Sequence, residues 1–256
     1  MNDFFSPKSR IVFDIETAGK RFDDLDEYTK SSLIKKVSKK LGVSLPQQHI
    51  DPAKSAESDS SMIIREIDTS LGLNPYLGQV IAIGLHDFEI KKNVLLLLKS
   101  DTIDEEVIKD SVLKHGPACA VIFASEAEIL AEFWRIVYAA SEVISFYGGR
   151  FDLPYIMVRS AAHHIKPSVN LIKHYKHADL YPLLSFYGSL DGVSLHSACT
   201  GFGIETPKND IDGSKVSEYF YAGKLGEIGA YCMRDVLATA QLYDIWKKYL
   251  DFSYDR

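Results

Sequence analysis

The residues of this sequence best suited to chemistry are carboxylates at three separated places, one of them accompanied by a tyrosine. The first is Asp14-Ile15-Glu16, directly after an apolar strand and before Thr17-Ala18-Gly19. Side chains at i and i+2 of a strand share a face, so both carboxylates can point at a common centre. The second is Asp152 in Phe151-Asp152-Leu153-Pro154, where a strand hands over to a helix after Gly148-Gly149. Taken alone, an Asp there reads as a helix N-cap. The third is Tyr231-x-x-x-Asp235 inside the last long helix. Residues four apart stack on one helical face, so hydroxyl and carboxylate project side by side.

Neither short pattern is diagnostic by itself. Asp-x-Glu recurs at Asp87–Glu89 and Asp104–Glu106, and Tyr-x-x-x-Asp at Tyr175–Asp179 and Tyr187–Asp191. Order and context carry the weight. Phosphodiester hydrolysis needs an activated water, a stabilised phosphorus centre and a stabilised leaving alkoxide. Two Mg²⁺ or Mn²⁺ ions roughly 3.5–4 Å apart supply all three. Such hard cations take oxygen ligands and keep waters for substrate phosphates, so carboxylates from strand, turn and helix suit them. A tyrosine with an ordinary pKa of about 10 is a poor base at neutral pH and better suited to orienting the attacking water.

These side chains need elements that bring them together. Arg10–Ile15, Gln79–His86, Asn93–Lys99, Ala118–Ala124 and Glu142–Tyr147 read as strands. Helices are expected over Lys30–Leu41, Leu153–Ile165, Leu180–Tyr187, Leu195–Phe202, Gly213–Ala222 and about Lys224–Leu250. Ser125 with Glu128 has capping-box spacing ahead of Ile129–Val137 and predicts another. Leu225, Ile228, Cys232, Val236, Ala240, Tyr243, Trp246 and Leu250 form the apolar stripe of the last helix. Gln47–Ser61 is polar and reads as a loop or locally disordered insertion. Strands with helices between and after them imply an α/β layer architecture, in one domain across residues 1–256.

Composition bounds the partners. A net charge of −6 argues against a broad basic surface for nucleic acid, although bound metal ions would offset a carboxylate cluster. No apolar run approaches the roughly 20 residues of a membrane-spanning helix. Cys119, Cys199 and Cys232 lack Cys-x-x-Cys spacing, which fits a reducing cytoplasm.

With its motifs in order, the chain resembles the DEDD exonucleases of the ribonuclease H-like superfamily. It is most similar to the tyrosine subgroup, and within it to stand-alone proteins predicted to be exonucleases related to the proofreading domain of family-B DNA polymerases. Ile11–Thr17 matches the first exonuclease motif, Ile144–Ile156 the second and Tyr231–Tyr243 the third. Leu73–Asp87, His177–Leu180 and Pro207–Val216 match family segments between them. The resemblance implies a mixed five-stranded ribonuclease H-like sheet flanked by helices, and metal-dependent 3′–5′ hydrolysis of nucleic acid with a free 3′ end, single-stranded DNA in the first instance. It implies that Asp14 bridges two divalent ions, Mg²⁺ or Mn²⁺, with Glu16 and Asp235 on the water-activating one. Asp152 would bind the second, and Tyr231 would hold the nucleophile. Thr17, Tyr147, Phe151 and Lys208 are the candidate contacts to nucleic acid. The chain departs from the family at Tyr147, where an Asn is usual, which bears on substrate preference and not on the metal ligands.

Blander readings stand beside these. Gly148-Gly149 lacks the P-loop pattern and reads as a tight turn. His163 and His164, adjacent on a helix, point in different directions and read as surface or partly buried residues. Asp179 reads as the N-cap of the helix that follows it. Phe151 either stacks on a terminal base or anchors its turn. Tyr147 either touches terminal nucleotides or packs over the glycine turn. Lys215, in a segment the family shares, is a weaker candidate for phosphate. The rival functions are an exoribonuclease on single-stranded RNA and a non-catalytic nucleic-acid-binding module. The intact set Asp14, Glu16, Asp152, Tyr231 and Asp235 argues against the second.

Overall fold

The computed structural model describes residue 5 and residues 8–43, 59–173, 176–206, 211 and 213–251. The first apolar run forms β1 (Arg10–Gly19), which continues well past Ile15. Ile11, Phe13 and Ile15 enter one core and Val12 the other. The pleat therefore puts Asp14 and Glu16 on the Val12 side. β2 (Gly78–Asp87) runs antiparallel to β1, with Asp14 opposite Gly84 and Glu16 opposite Ala82. The register slips between Glu16 and Thr17. Such bulges bend a strand and re-aim its side chains.

β3 (Lys92–Leu98) pairs antiparallel with β2, and β4 (Ala120–Ala124) pairs parallel with β3. On the other side β5 (Glu142–Ser145) lies parallel to β1, and β6 (His177–Asp179) parallel to β5. The sheet is thus six-stranded, in the order β4-β3-β2-β1-β5-β6. This is the expected ribonuclease H-like mixed sheet with one correction: it has six strands, not five. The extra edge strand is three residues long, too short to show a period.

α1 (Glu27–Leu41) and α2 (Asp59–Gly72) form a small layer of their own around Leu25, Val37, Ile63, Ile67 and Leu71. Of the segment read as a polar insertion, residues 47–58 lie outside the described residues, and from Asp59 the chain is helical. α3 (Glu105–His115), also unforeseen, starts at Asp104, whose side chain accepts the Glu106 N–H. α4 (Glu126–Ala139) begins with the expected Ser125–Glu128 capping box. With α5 (Asp152–Ala162) it buries Phe133, Trp134, Leu153 and Ile156 against Phe13 and Ile15.

The opposite face is covered by α3, α6 (Leu180–Leu184), α7 (Leu195–Gly201) and the long α9 (Leu225–Tyr249). The segment Gly213–Ala222 divides into a 3₁₀ turn, Gly213–Lys215, and α8 (Val216–Tyr221). No described helix is long and apolar enough to cross a membrane.

One glycine decides how closely α9 meets the sheet. A Cβ on Gly84 would lie 2.8 Å from Val236 Cγ2 and 3.0 Å from Cys232 Sγ. Only the bare backbone at this position, opposite Asp14, lets the third-motif helix lie against the first-motif strand.

Candidate active site

β1 delivers Asp14 and Glu16 to the face covered by α9. Glu16 is buried, and Asp14 keeps a partial opening to solvent. α9 returns Tyr231 and Asp235, one turn apart and both buried. The Tyr231 hydroxyl and the Asp235 carboxylate are close enough that Asp235 adds to burial in raising the phenol. Between them Cys232 Sγ lies 3.6 Å from the Asp14 main-chain oxygen and 3.9 Å from Asp14 Oδ2. Ligand atoms of Asp14, Glu16 and Cys232 all fall within 4.8 Å of one another.

Asp152 arrives from a third direction. It is the first residue inside α5, not its N-cap; that position belongs to Phe151, which makes no side-chain cap bond. The Asp152 carboxylate is buried, close to the backbone N–H of Ile15 between the two acids of β1. The turn before it is held by Asp179, whose Oδ1 accepts the Tyr147 N–H at 2.8 Å and whose Oδ2 accepts the Gly149 N–H at 2.9 Å. The same Oδ1 accepts the Tyr181 N–H, so Asp179 is the expected N-cap of α6 as well. Gly148 is required sterically, since a Cβ there would lie 2.2 Å from Ser145 Oγ.

The electrostatics of this pocket are uniform in sign. Burial, and then the neighbouring carboxylates, hold Asp14 and Glu16 well above the usual carboxylate range. Burial pushes Asp152 up to about 7, with Asp179 and Asp235 adding to it. The Tyr231 phenol is raised far above its ordinary value by burial and by Asp235, Glu16 and Asp14, so it stays protonated. Burial and the same carboxylates raise the Cys232 thiol, which is therefore a weak donor towards Asp14. Asp14, Glu16 and Asp152 form no ion pair with any described residue. Converging hard oxygen donors with no ion-pair partner for Asp14, Glu16 or Asp152 among the described residues fit divalent cations of the Mg²⁺ or Mn²⁺ kind.

The remaining candidates are placed differently. Thr17 is buried and its hydroxyl donates to the Gly72 carbonyl at 2.8 Å, towards α2. Phe151 is half-buried, its ring 5.6 Å from that of Tyr155. Tyr147 is exposed and packs edge-on against Tyr181, ring centroids 4.6 Å apart. Its φ is +66°, left-handed backbone that Asn tolerates better than most residues. Lys208 lies outside the described residues.

Three of the competing short motifs resolve as structure, and Tyr175 of the fourth lies outside the described residues. Asp87, the buried last residue of β2, accepts the N–H groups of Glu89 and Ile90 in the turn that follows, at 2.8 and 3.1 Å. Asp104 caps α3, and Tyr187–Asp191 is an exposed loop. Two neighbours of the pocket were not picked out as part of it: Cys232, read as part of the apolar stripe, and Asp179, read only as a cap. Adjacency to Tyr231 was the available signal for the first.

The sequence pattern of a family described as predicted 3′–5′ exonucleases related to the exonuclease domain of PolB matches residues 118–252. The chain belongs to this family. The matched region holds Asp152, Tyr231 and Asp235, while Asp14 and Glu16 precede it. Among solved structures, the chain is similar to the family B DNA polymerase of the hyperthermophilic archaeon Pyrobaculum calidifontis, with a TM-score of 0.51 and 15% identity. That match covers 96% of this chain and 25% of the polymerase, so the likeness is one of fold, over about a quarter of the larger protein. No curated protein matches the chain.

Proposed function

We propose that the chain is a metal-dependent 3′–5′ exonuclease of the DEDD type, tyrosine subgroup, that removes nucleotides from single-stranded DNA. The observation that carries this reading is the convergence of Asp14, Glu16, Asp152 and Asp235 with a protonated Tyr231 in one pocket. Asp14, central to the group, would serve both cations. Glu16 and Asp235 would hold the ion on the Tyr231 side, and Asp152 the other. When bound, such a pair lowers the pKa of water and offsets charge on both the attacking and the leaving oxygen.

The residues themselves position and exclude. The protonated Tyr231 hydroxyl, beside Asp235, would orient the water that attacks phosphorus. A new P–O bond forms, the bond to the 3′ oxygen of the preceding nucleotide breaks, and that oxygen takes a proton. The products are a nucleoside 5′-monophosphate and a strand one unit shorter.

A time course on 5′-labelled single-stranded DNA and RNA tests the assignment. The expected result is a descending ladder with mononucleotides released, on DNA in preference to RNA. Immediate release of the labelled nucleotide, or a fixed internal cut, overturns it.

A further inference from the structure

A second cleft, of about 640 Å³, opens at the far end of β1 and is lined by none of the five side chains of the carboxylate pocket. Its floor is the Lys20–Phe22 segment; α2 forms one wall, and α8 with its preceding 3₁₀ turn the other. That volume suits a ligand of nucleotide size.

The cleft is fastened to the strand that bears Asp14 and Glu16. The Gly19 N–H donates to Ser217 Oγ at 3.2 Å, and the Gly19 carbonyl accepts the Tyr221 hydroxyl at 2.6 Å. A Cβ on Gly19 would lie 2.5 Å from the Leu71 backbone, so α2 abuts the strand end directly. From Glu16 to Gly19 is roughly 10 Å of extended strand. Cleft and pocket therefore lie in line along β1.

Its chemistry is cationic and aromatic. Lys20, Arg21, Arg65 and Lys215 line it, are exposed, and form no ion pair with a described residue. The Arg21 guanidinium lies 4.5 Å from the centre of the Tyr221 ring, with Phe22 in the same cleft. Against four cations stand Asp23, Asp68 and Glu218, a formal balance of 4 − 3 = +1 in a chain of net charge −6. Asp68 lies close to the Phe22 backbone N–H, so part of that acidity faces the floor. Guanidinium and ammonium groups recognise phosphate, and aromatic and guanidinium planes stack on bases.

We propose that this cleft holds a nucleotide of the substrate strand remote from the bond being cut, its phosphate among Lys20, Arg65 and Lys215 and its base against the Arg21–Tyr221 stack. The proposal rests on the exonuclease reading above. It makes strand length, not chemistry, the quantity the cleft controls. A dinucleotide fills the carboxylate pocket without reaching the cleft, and a long strand occupies both.

The test compares the double variant Arg65→Gln/Lys215→Gln with a control of equal charge change on exposed α1 residues, Lys35→Gln/Lys36→Gln. KM and kcat are measured on a dinucleotide and on a long 5′-labelled single strand, with melting temperatures alongside. The expected result is a rise in KM of about tenfold for the long strand, the worth of lost charge-assisted phosphate contacts. The dinucleotide KM, kcat and melting temperature stay at wild-type values, and the control stays near wild type throughout. An unchanged long-strand KM, an equal rise on both substrates, or an equal rise in the control overturns the cleft while leaving the exonuclease reading intact. If wild type cleaves neither DNA nor RNA, the two fall together.

Discussion

The carboxylate cluster around Asp14 and the single buried carboxylate Glu126 meet their charge in opposite ways. Glu126, at the start of α4, accepts the Val80 N–H at 2.8 Å, both prongs of Arg159 at 2.8 Å each, and His163 Nε2 at 2.7 Å. Burial alone would raise it, but these bonds outweigh burial and its pKa is lowered. Glu16 and Asp152 are buried to a similar degree and Asp14 is half-buried beside them; none of the three forms an ion pair with a described residue, and all three are raised. A buried charge balanced from within holds a fold together; one left for an outside cation is available for chemistry.

The largest expected difference separates Asp14→Asn from Glu126→Gln. The first should lower cleavage on the order of 10⁴-fold, as loss of an essential catalytic group does, while raising the melting temperature of the metal-free protein by relieving repulsion. The second leaves Arg159 without its partner and should cost about 3 kcal/mol or more in denaturant unfolding, with kcat near wild type below the transition. Equal loss of cleavage in both would erase the distinction between the two sites.

Tyr231→Phe refines the account within the pocket. It removes a hydroxyl that orients water and leaves every carboxylate in place. A loss of roughly 10- to 100-fold in kcat is expected, the worth of one hydrogen bond to a charged group. A loss as large as that of Asp14→Asn would give Tyr231 a heavier role than orientation.

Melting temperature against pH separates the two sites by sign. Asp152 has a folded pKa of about 7 against an ordinary 3.8, so the folded metal-free protein holds a proton that the unfolded chain releases. That contribution is complete below about pH 4 and is lost as pH rises towards 7. Glu126 works the other way: its contribution is present above its ordinary 4.5 and is lost as pH falls through its lowered folded value. Asp152→Asn should flatten the loss on the neutral side, and Glu126→Gln the loss on the acid side. Identical profiles for the two variants would contradict the assignment.

The smallest effect is expected at Tyr147. Its left-handed backbone accepts Asn readily, so Tyr147→Asn should leave the melting temperature and the metal requirement unchanged. A change confined to KM or to DNA-over-RNA preference would mark contact with substrate. No change in either would leave the packing against Tyr181.

What was legible in the sequence follows from periodicity. Two acids on one face of an apolar strand, a tyrosine and an aspartate one helical turn apart, and a capping box at Ser125 are local patterns, and all three elements formed where expected. β6 is too short to carry a pattern, and α2 begins in the polar stretch that masked it. The Asp152 carboxylate could be taken for a helix cap because the carboxylates it gathers with, Asp179 and Asp235, are far away in sequence. Asp179 could be read only as a cap because its bonds to Tyr147 and Gly149 span 32 and 30 residues. Long-range partners leave no local trace.

The central claim is that the Asp14–Glu16–Asp152–Asp235 pocket is balanced by divalent cations, and a Mn²⁺ titration of metal-free protein tests it most directly. Binding is followed by calorimetry and melting temperature in wild type and in Asp14→Asn, with Tyr187→Phe as the exposed control. The account predicts saturable binding that raises the wild-type melting temperature, the same response in the control, and its loss in Asp14→Asn. Absence of binding in wild type, or equal binding and equal stabilisation in Asp14→Asn, would contradict it.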